Sequence, residues 1–267
     1  MRTLKLLVLA AILLGGCSVL QRTRLFVPES AGFTKITENL YVESGADEAV
    51  QKELSYAVLS AENAIRAAYE SVTSHPTVHA CISEACYKKF GAGGSTKAVI
   101  HGYRRILLSP RGLNWHYIAH EWSHAEMFSR LSLAAWWWRL PDWFDEGVAV
   151  AVSDAPETSE SHWQFLVESN VPRPTREELF TFRTPRQWNN AVNRYGAPKN
   201  LERKARGEPE IRPVYTAAGR EVRFWLAQVS SAGLLRLIEQ LNSGVAFESA
   251  YQADNNAVEW DAPHPSP

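Results

Sequence analysis

Three residues have the types and spacing to do metal-assisted chemistry: His120, Glu121 and His124, in the run Leu113-Asn114-Trp115-His116-Tyr117-Ile118-Ala119-His120-Glu121-Trp122-Ser123-His124-Ala125-Glu126-Met127-Phe128. Two histidines four apart on a helix project from one face, so both imidazoles can reach one metal ion. A glutamate directly after the first lies beside that face, within reach of a water that the metal activates. Hydrolytic metal sites keep three protein ligands and leave the fourth position open, so a third ligand is needed. Candidates follow in Pro141-Asp142-Trp143-Phe144-Asp145-Glu146-Gly147-Val148-Ala149. On charge alone Asp142, Asp145 and Glu146 compete. His116 lies one turn before His120 on nearly the same face, but the outer members of a His-x-x-x-His-x-x-x-His stripe sit too far apart to share one ion easily. It reads as a first-turn or cleft-wall residue.

Elements must hold these groups together. Ser109-Pro110 offers a cap and first-turn proline for the motif helix. A second helix is expected from about Asp142 to Ser153, folded back on the first by a short loop. Upstream, Asn39 to Glu43 reads as a first strand. Asp47 to Ser71 repeats apolar residues at helical spacing (Val50, Leu54, Ala57, Val58, Ala61, Ile65, Ala68, Tyr69), with Asp47 or Ser44 near its start. Pro76 to Ile82 reads as a strand, and Lys97 to Leu108 as one strand or as two joined at Gly102. Gly91 to Ser95 lacks the GxxxxGK[ST] order of a phosphate-binding loop and is a glycine-rich turn. A strand between that turn and the motif helix suits the edge of a substrate cleft. Residues 170–213 read as short helices and loops. Helix is expected again over Val214–Ser230, Leu234–Asn242 and Ala246–Gln252.

The chain has 267 residues, 45% apolar and 21% charged, with a formal net charge of −1. That composition fits a globular protein with a real core, and the charge gives no electrostatic case for nucleic acid. The amino terminus reads as an address. A short basic region, Met1 to Lys5, precedes an apolar run, Leu6 to Leu14, too short to span a bilayer. Leu14-Gly15-Gly16-Cys17 resembles a bacterial lipobox, which implies a signal peptide over 1–16, acylation of Cys17 and attachment to the cell envelope. Ser18 resembles the outer-membrane sorting pattern of diderm bacteria. Residues 17–35 then form a tether, 36–253 the domain, and 254–267 a disordered tail. Of three cysteines, the two beyond Cys17 are Cys81 and Cys86, an even pair suited to a disulfide in an oxidising compartment. No further Cys or His pair nearby completes a four-ligand metal set around them.

His120-Glu121-x-x-His124 together with Pro141-x-Trp143-Phe144-x-Glu146-Gly147-x-Ala149 resembles the gluzincin-type zinc metallopeptidases of the thermolysin-like superfamily. The resemblance covers roughly residues 98–252, strongly at the two motifs and weakly elsewhere. It implies that His120, His124 and Glu146 bind Zn2+, that Glu121 is the general base for the zinc-activated water, and that the substrate is a peptide or protein. A tyrosine that opens a downstream helix in similar exported peptidases corresponds to Tyr215, either an oxyanion stabiliser or a packed core residue. Asp142, Asp145 and Glu126 are candidates to orient the ligand imidazoles. The expected fold is α+β and zincin-like: a small sheet, the motif helix and a helical carboxy-terminal part. Rival readings are a zinc hydrolase acting on other bonds, a catalytically idle zincin-like lipoprotein, and a structural envelope protein with accidental motifs. Retention of Glu121 argues against the idle form, since a binding module needs the ligands at most. Trp136-Trp137-Trp138 is open to three readings: a helix-end plug or cover over the motif helix, a membrane-interface contact, or a substrate wall.

Overall fold

The computed structural model describes residues 24–93 and 96–251; the signal segment, Cys17 and the tail lie outside the described residues, as do Gly94 and Ser95 of the glycine-rich turn. Two compact units divide the chain: Met1–Glu62 with Ser74–Ala125, and Asn63–Thr73 with Glu126–Pro267. The described fold is mixed α and β.

The first unit holds a five-stranded sheet in the order β1-β2-β3-β5-β4, built from β1 (Phe33–Lys35), β2 (Leu40–Glu43), β3 (Thr77–Ala80), β4 (Ala98–His101) and β5 (Arg105–Leu108). The central strands β2, β3 and β5 run parallel, and β1 and β4 are antiparallel edges. Register explains the residue types. Leu40, Val78, Ile106 and Ile100 form one in-register row, and Val42, Ala80, Leu108 and Ala98 another, on the same face. Tyr41, His79, Leu107 and Val99 point to the opposite face. There Phe33, Leu25, Ala31 and the residues of α2 (Glu84–Lys89) cover them. Central parallel strands are thus buried on both sides, as parallel pairing requires. Residues 24–35, expected to be tether, therefore belong to the fold. Leu25 and Phe33 are buried, and a three-residue strand is too short to display a period.

Between β2 and β3 runs α1 (Glu48–Tyr69), whose Leu54, Val58, Ala61, Ile65 and Tyr69 form one buried stripe. Asp47 caps it, its Oδ1 accepting from the Val50 amide at 2.8 Å. Cys81 and Cys86 are joined in a disulfide with a Cα–Cα distance of 5.5 Å. Glu43 fixes the loop they close, accepting from the Ile82 and Ser83 amides (both 2.8 Å) and from Ser83 Oγ (2.7 Å).

His79 is 1% exposed, with the Tyr41 ring stacked on it and the Phe33 ring edge-on. Burial pushes its imidazole down to about 4, and repulsion from Arg105 and His101 adds to this, against a partial pull upward from backbone acceptors at Ile106 and Thr77. A folded-state value below the unfolded 6.5 means that unfolding takes up a proton at low pH. Stability should therefore fall as pH drops below about 6.5 and level off near 4, by ~3 kcal/mol in total for this one group. Urea unfolding of wild type and His79→Leu across pH 4–7 checks it; equal slopes in the two proteins would refute the assignment.

In the second unit, α5 (Asp142–Ser153) packs along α9 (Pro213–Asn242). Around them stand α4 (Leu133–Trp138), α6 (Glu160–Glu168), α7 (Arg176–Leu179), α8 (Pro185–Ala205) and α10 (Phe247–Tyr251). The boundary between units falls within α1 and within α3 (Trp115–Arg130), the helix carrying His120 and His124. Within residues 170–213, expected to be short helices and loops, α8 is a helix of 21 residues. Its apolar signal is weak because only Trp188, Ala191 and Gly196 are buried. Its start was nevertheless written in the sequence: Thr184 and Gln187 form a capping box around Pro185 at the first position. The two helices expected over 214–242 are joined, with a break at Ser230 (φ 60, ψ −177).

Candidate metal centre

Asn114, rather than Ser109-Pro110, caps α3. Its Oδ1 accepts from the His116 amide at 3.0 Å and the Tyr117 amide at 3.4 Å. The helix then buries Ile118, Ala119, Trp122, Ser123, Ala125 and Met127. Trp122 pins the middle turn by donating from Nε1 to the Ser74 carbonyl at 3.1 Å. With that side fixed, residues 120, 121 and 124 share another. The His120 and His124 rings stand 5.0 Å apart at 83° to one another. Lys97, just before β4, donates from Nζ to the Tyr117 hydroxyl and lies 4.8 Å over its ring, tying the segment before β4 to the turn preceding His120.

The last turn of α3 is secured by Glu126, fully buried. Its Oε1 accepts from the Thr73 amide and hydroxyl (both 2.8 Å) and from Arg130 Nε (2.9 Å). Glu126 was a candidate to orient the ligand imidazoles; these bonds give it a role in holding the helix to Thr73.

Glu146 stands on α5. The first-turn amides of Asp142 and Trp143 donate to the carbonyls of Arg183 and Phe182 at 3.2 and 3.0 Å. Trp143 and Phe144 then enter an aromatic cluster with Phe180, Trp225, Phe247 and Tyr251. One turn on, Gly147 lets α5 approach α9 closely. A Cβ there would lie 2.8 Å from the Ala218 carbonyl oxygen and 2.6 Å from Val222 Cγ2. Gly219 does the same from the other side, since a Cβ there would come 2.9 Å from Val150 Cβ. The glycine after Glu146 thus has a packing reason of its own.

In the first unit the imidazoles of His120 and His124 stand one turn apart on α3, and in the second Glu146 stands in the second turn of α5. His116 packs against Trp115, with ring centroids 4.1 Å apart. Two imidazoles one helical turn apart can share one metal ion, and a carboxylate is the kind of third donor that a hydrolytic zinc site adds to them. The convergence of Glu43 with Cys81 and Cys86 is not a metal site because the two sulfurs are bonded to each other.

Two tyrosines bear on the chemistry. Tyr215 is in the first turn of α9, its ring edge-on to Trp188 at 5.0 Å and under the Arg212 guanidinium. Those contacts agree with the packed-residue reading. Tyr87, which the sequence did not single out, is fully buried on α2. Burial first, and then the negative charge of Glu121, pushes its phenol up to about 12. It is thus a neutral hydroxyl within the electrostatic reach of Glu121. The only signal for it was its place directly after Cys86 of the disulfide.

No protein-family model matches the chain, and no curated protein matches it.

Proposed function

We propose that this chain is a zinc-dependent metallopeptidase with a zincin-like fold, held at the bacterial cell envelope by a lipid on Cys17. The observation that carries the reading is the pair His120 and His124, one turn apart on α3 with rings 5.0 Å apart, and Glu121 next to the first of them on the same helix. Supporting it are the order of a small sheet, an antiparallel edge strand, the motif helix and a helical remainder.

In this reading His120 and His124 bind Zn2+ as neutral imidazoles and Glu146 through a carboxylate oxygen. The ion, when bound, lowers the pKa of water and polarises the scissile carbonyl. The Glu121 carboxylate takes the proton from the attacking water and returns it to the nitrogen of the departing amine. The edge strand β4 offers backbone amides and carbonyls to an extended peptide, which suits a peptide substrate.

The test is metal analysis of the purified chain starting at Ser18, with peptide-library cleavage alongside. About one zinc per chain is expected, falling below a tenth of that in His124→Ala. Wild-type protein without stoichiometric zinc would end the enzyme reading. Stoichiometric zinc without cleavage would favour the idle lipoprotein, and cleavage of other bonds only would favour a different zinc hydrolase.

A further inference from the structure

Helix α4 presents an apolar surface with no role in the fold. Ser132 caps it, accepting from the Ala135 amide at 3.2 Å. It is held from one side by Ala135, fully buried, and by Trp136, whose ring meets Phe128 edge-on at 5.3 Å. Leu133, Trp137 and Trp138 point the other way, 65%, 66% and 84% exposed. Positions 133 and 137 are one helical turn apart and 138 is adjacent, so the three make one patch. Exposed large aromatic residues grouped in this way mark a contact surface.

We propose that this patch is a membrane-interface contact, seating the two indoles among the headgroups of an anionic bilayer. Tryptophan, with an apolar ring and a polar N–H, is the side chain best suited to that boundary. The charge of the segment agrees: from Leu131 to Leu140 there is one arginine, Arg139, and no acidic residue. Arg139 directly follows Trp138, where it can meet lipid phosphate. Among the described residues no helix is long and apolar enough to cross a membrane, so the contact is with the surface. The bilayer is also the nearest large partner. This step rests on the reading of Cys17 as the lipid attachment site. Six residues separate it from Arg24, the first described residue, and those seven Cα–Cα steps reach at most ~25 Å. Anchoring at that range raises the effective concentration of lipid at the patch without any further binding partner.

The test uses the unlipidated chain from Ser18, which keeps every described element, and sedimentation with vesicles of phosphatidylcholine containing about a third phosphatidylglycerol. Wild type should co-sediment. Trp137→Ala/Trp138→Ala should lower the partition coefficient about tenfold or more, and Trp138→Ala alone by an intermediate factor. The wild-type-minus-variant fluorescence should shift to the blue on adding vesicles. Because both rings are exposed, the variants should melt with the wild type, which separates loss of binding from loss of fold. Equal partition of wild type and variants, or no wild-type binding, would overturn the proposal. So would wild-type self-association without vesicles that the variants lack, which would assign the patch to a second copy of this chain. None of these outcomes depends on zinc.

Discussion

Glu121→Gln should keep its zinc and lose peptide hydrolysis by about a thousandfold. Glutamine matches glutamate in shape and helix propensity, so α3 should fold unchanged. The proposed ligands His120, His124 and Glu146 are untouched, so metal content should remain near one ion per chain. What disappears is a basic oxygen able to accept the proton of the attacking water; the amide oxygen that replaces it is hydrogen-bonding but not basic. General acid–base groups contribute about 10²–10⁴-fold, and this glutamate would act in both proton transfers. Measuring zinc content and kcat/KM on the same preparation decides the matter. Equal activity in both proteins would remove Glu121 from the chemistry, whereas loss of metal together with activity would make it a structural support of the site.

The second large effect lies away from the proton transfers. Gly147→Ala would place a methyl group 2.8 Å from the Ala218 carbonyl oxygen and 2.6 Å from Val222 Cγ2. Valine can rotate, but the carbonyl belongs to helix backbone and cannot. The helices α5 and α9 must therefore move apart, an overpacking cost of ~2–3 kcal/mol. Alanine's better helix propensity returns ~1 kcal/mol at most, so destabilisation wins. Glu146, a ligand on the proposed reading, is the adjacent residue on α5, so the same shift should weaken zinc binding tenfold or more. Urea unfolding and zinc competition with a chelator test the two consequences separately. Unchanged stability would show that α9 yields at Ala218; unchanged affinity with reduced stability would show that the Glu146 carboxylate follows the ion independently of its helix.

The proposed histidine ligands and the helices that carry the site were legible because they obey local rules. His120 and His124 sit one turn apart on a helix, and α5 runs from Asp142 to Ser153, the span expected from the Pro141 break and the apolar run behind it. The choice of Glu146 over Asp142 and Asp145 was not local. It came from resemblance alone. The strands β2 to β5 were legible where the structure has them, but not their pairing. Parallel pairing of β2, β3 and β5 joins residues tens of positions apart, and β1 has only three residues to announce itself. Polar α8 was missed because hydrophobic period was weighed above its capping box. Tyr87 and the outward Trp137 and Trp138 share another cause: their meaning depends on which side of an element is covered, and composition is silent on that.

The disulfide bears on how the anchor and the fold depend on each other. Three cysteines, Cys17, Cys81 and Cys86, allow three possible pairs, of which the described structure uses one. A free thiolate at residue 17 would be a nucleophile of the kind that exchanges with disulfides. Attachment of lipid at Cys17 through a thioether removes that nucleophile and leaves a single pairing. Lipidation, on the proposed reading, thus takes one of the three thiols out of disulfide chemistry, as well as supplying an address.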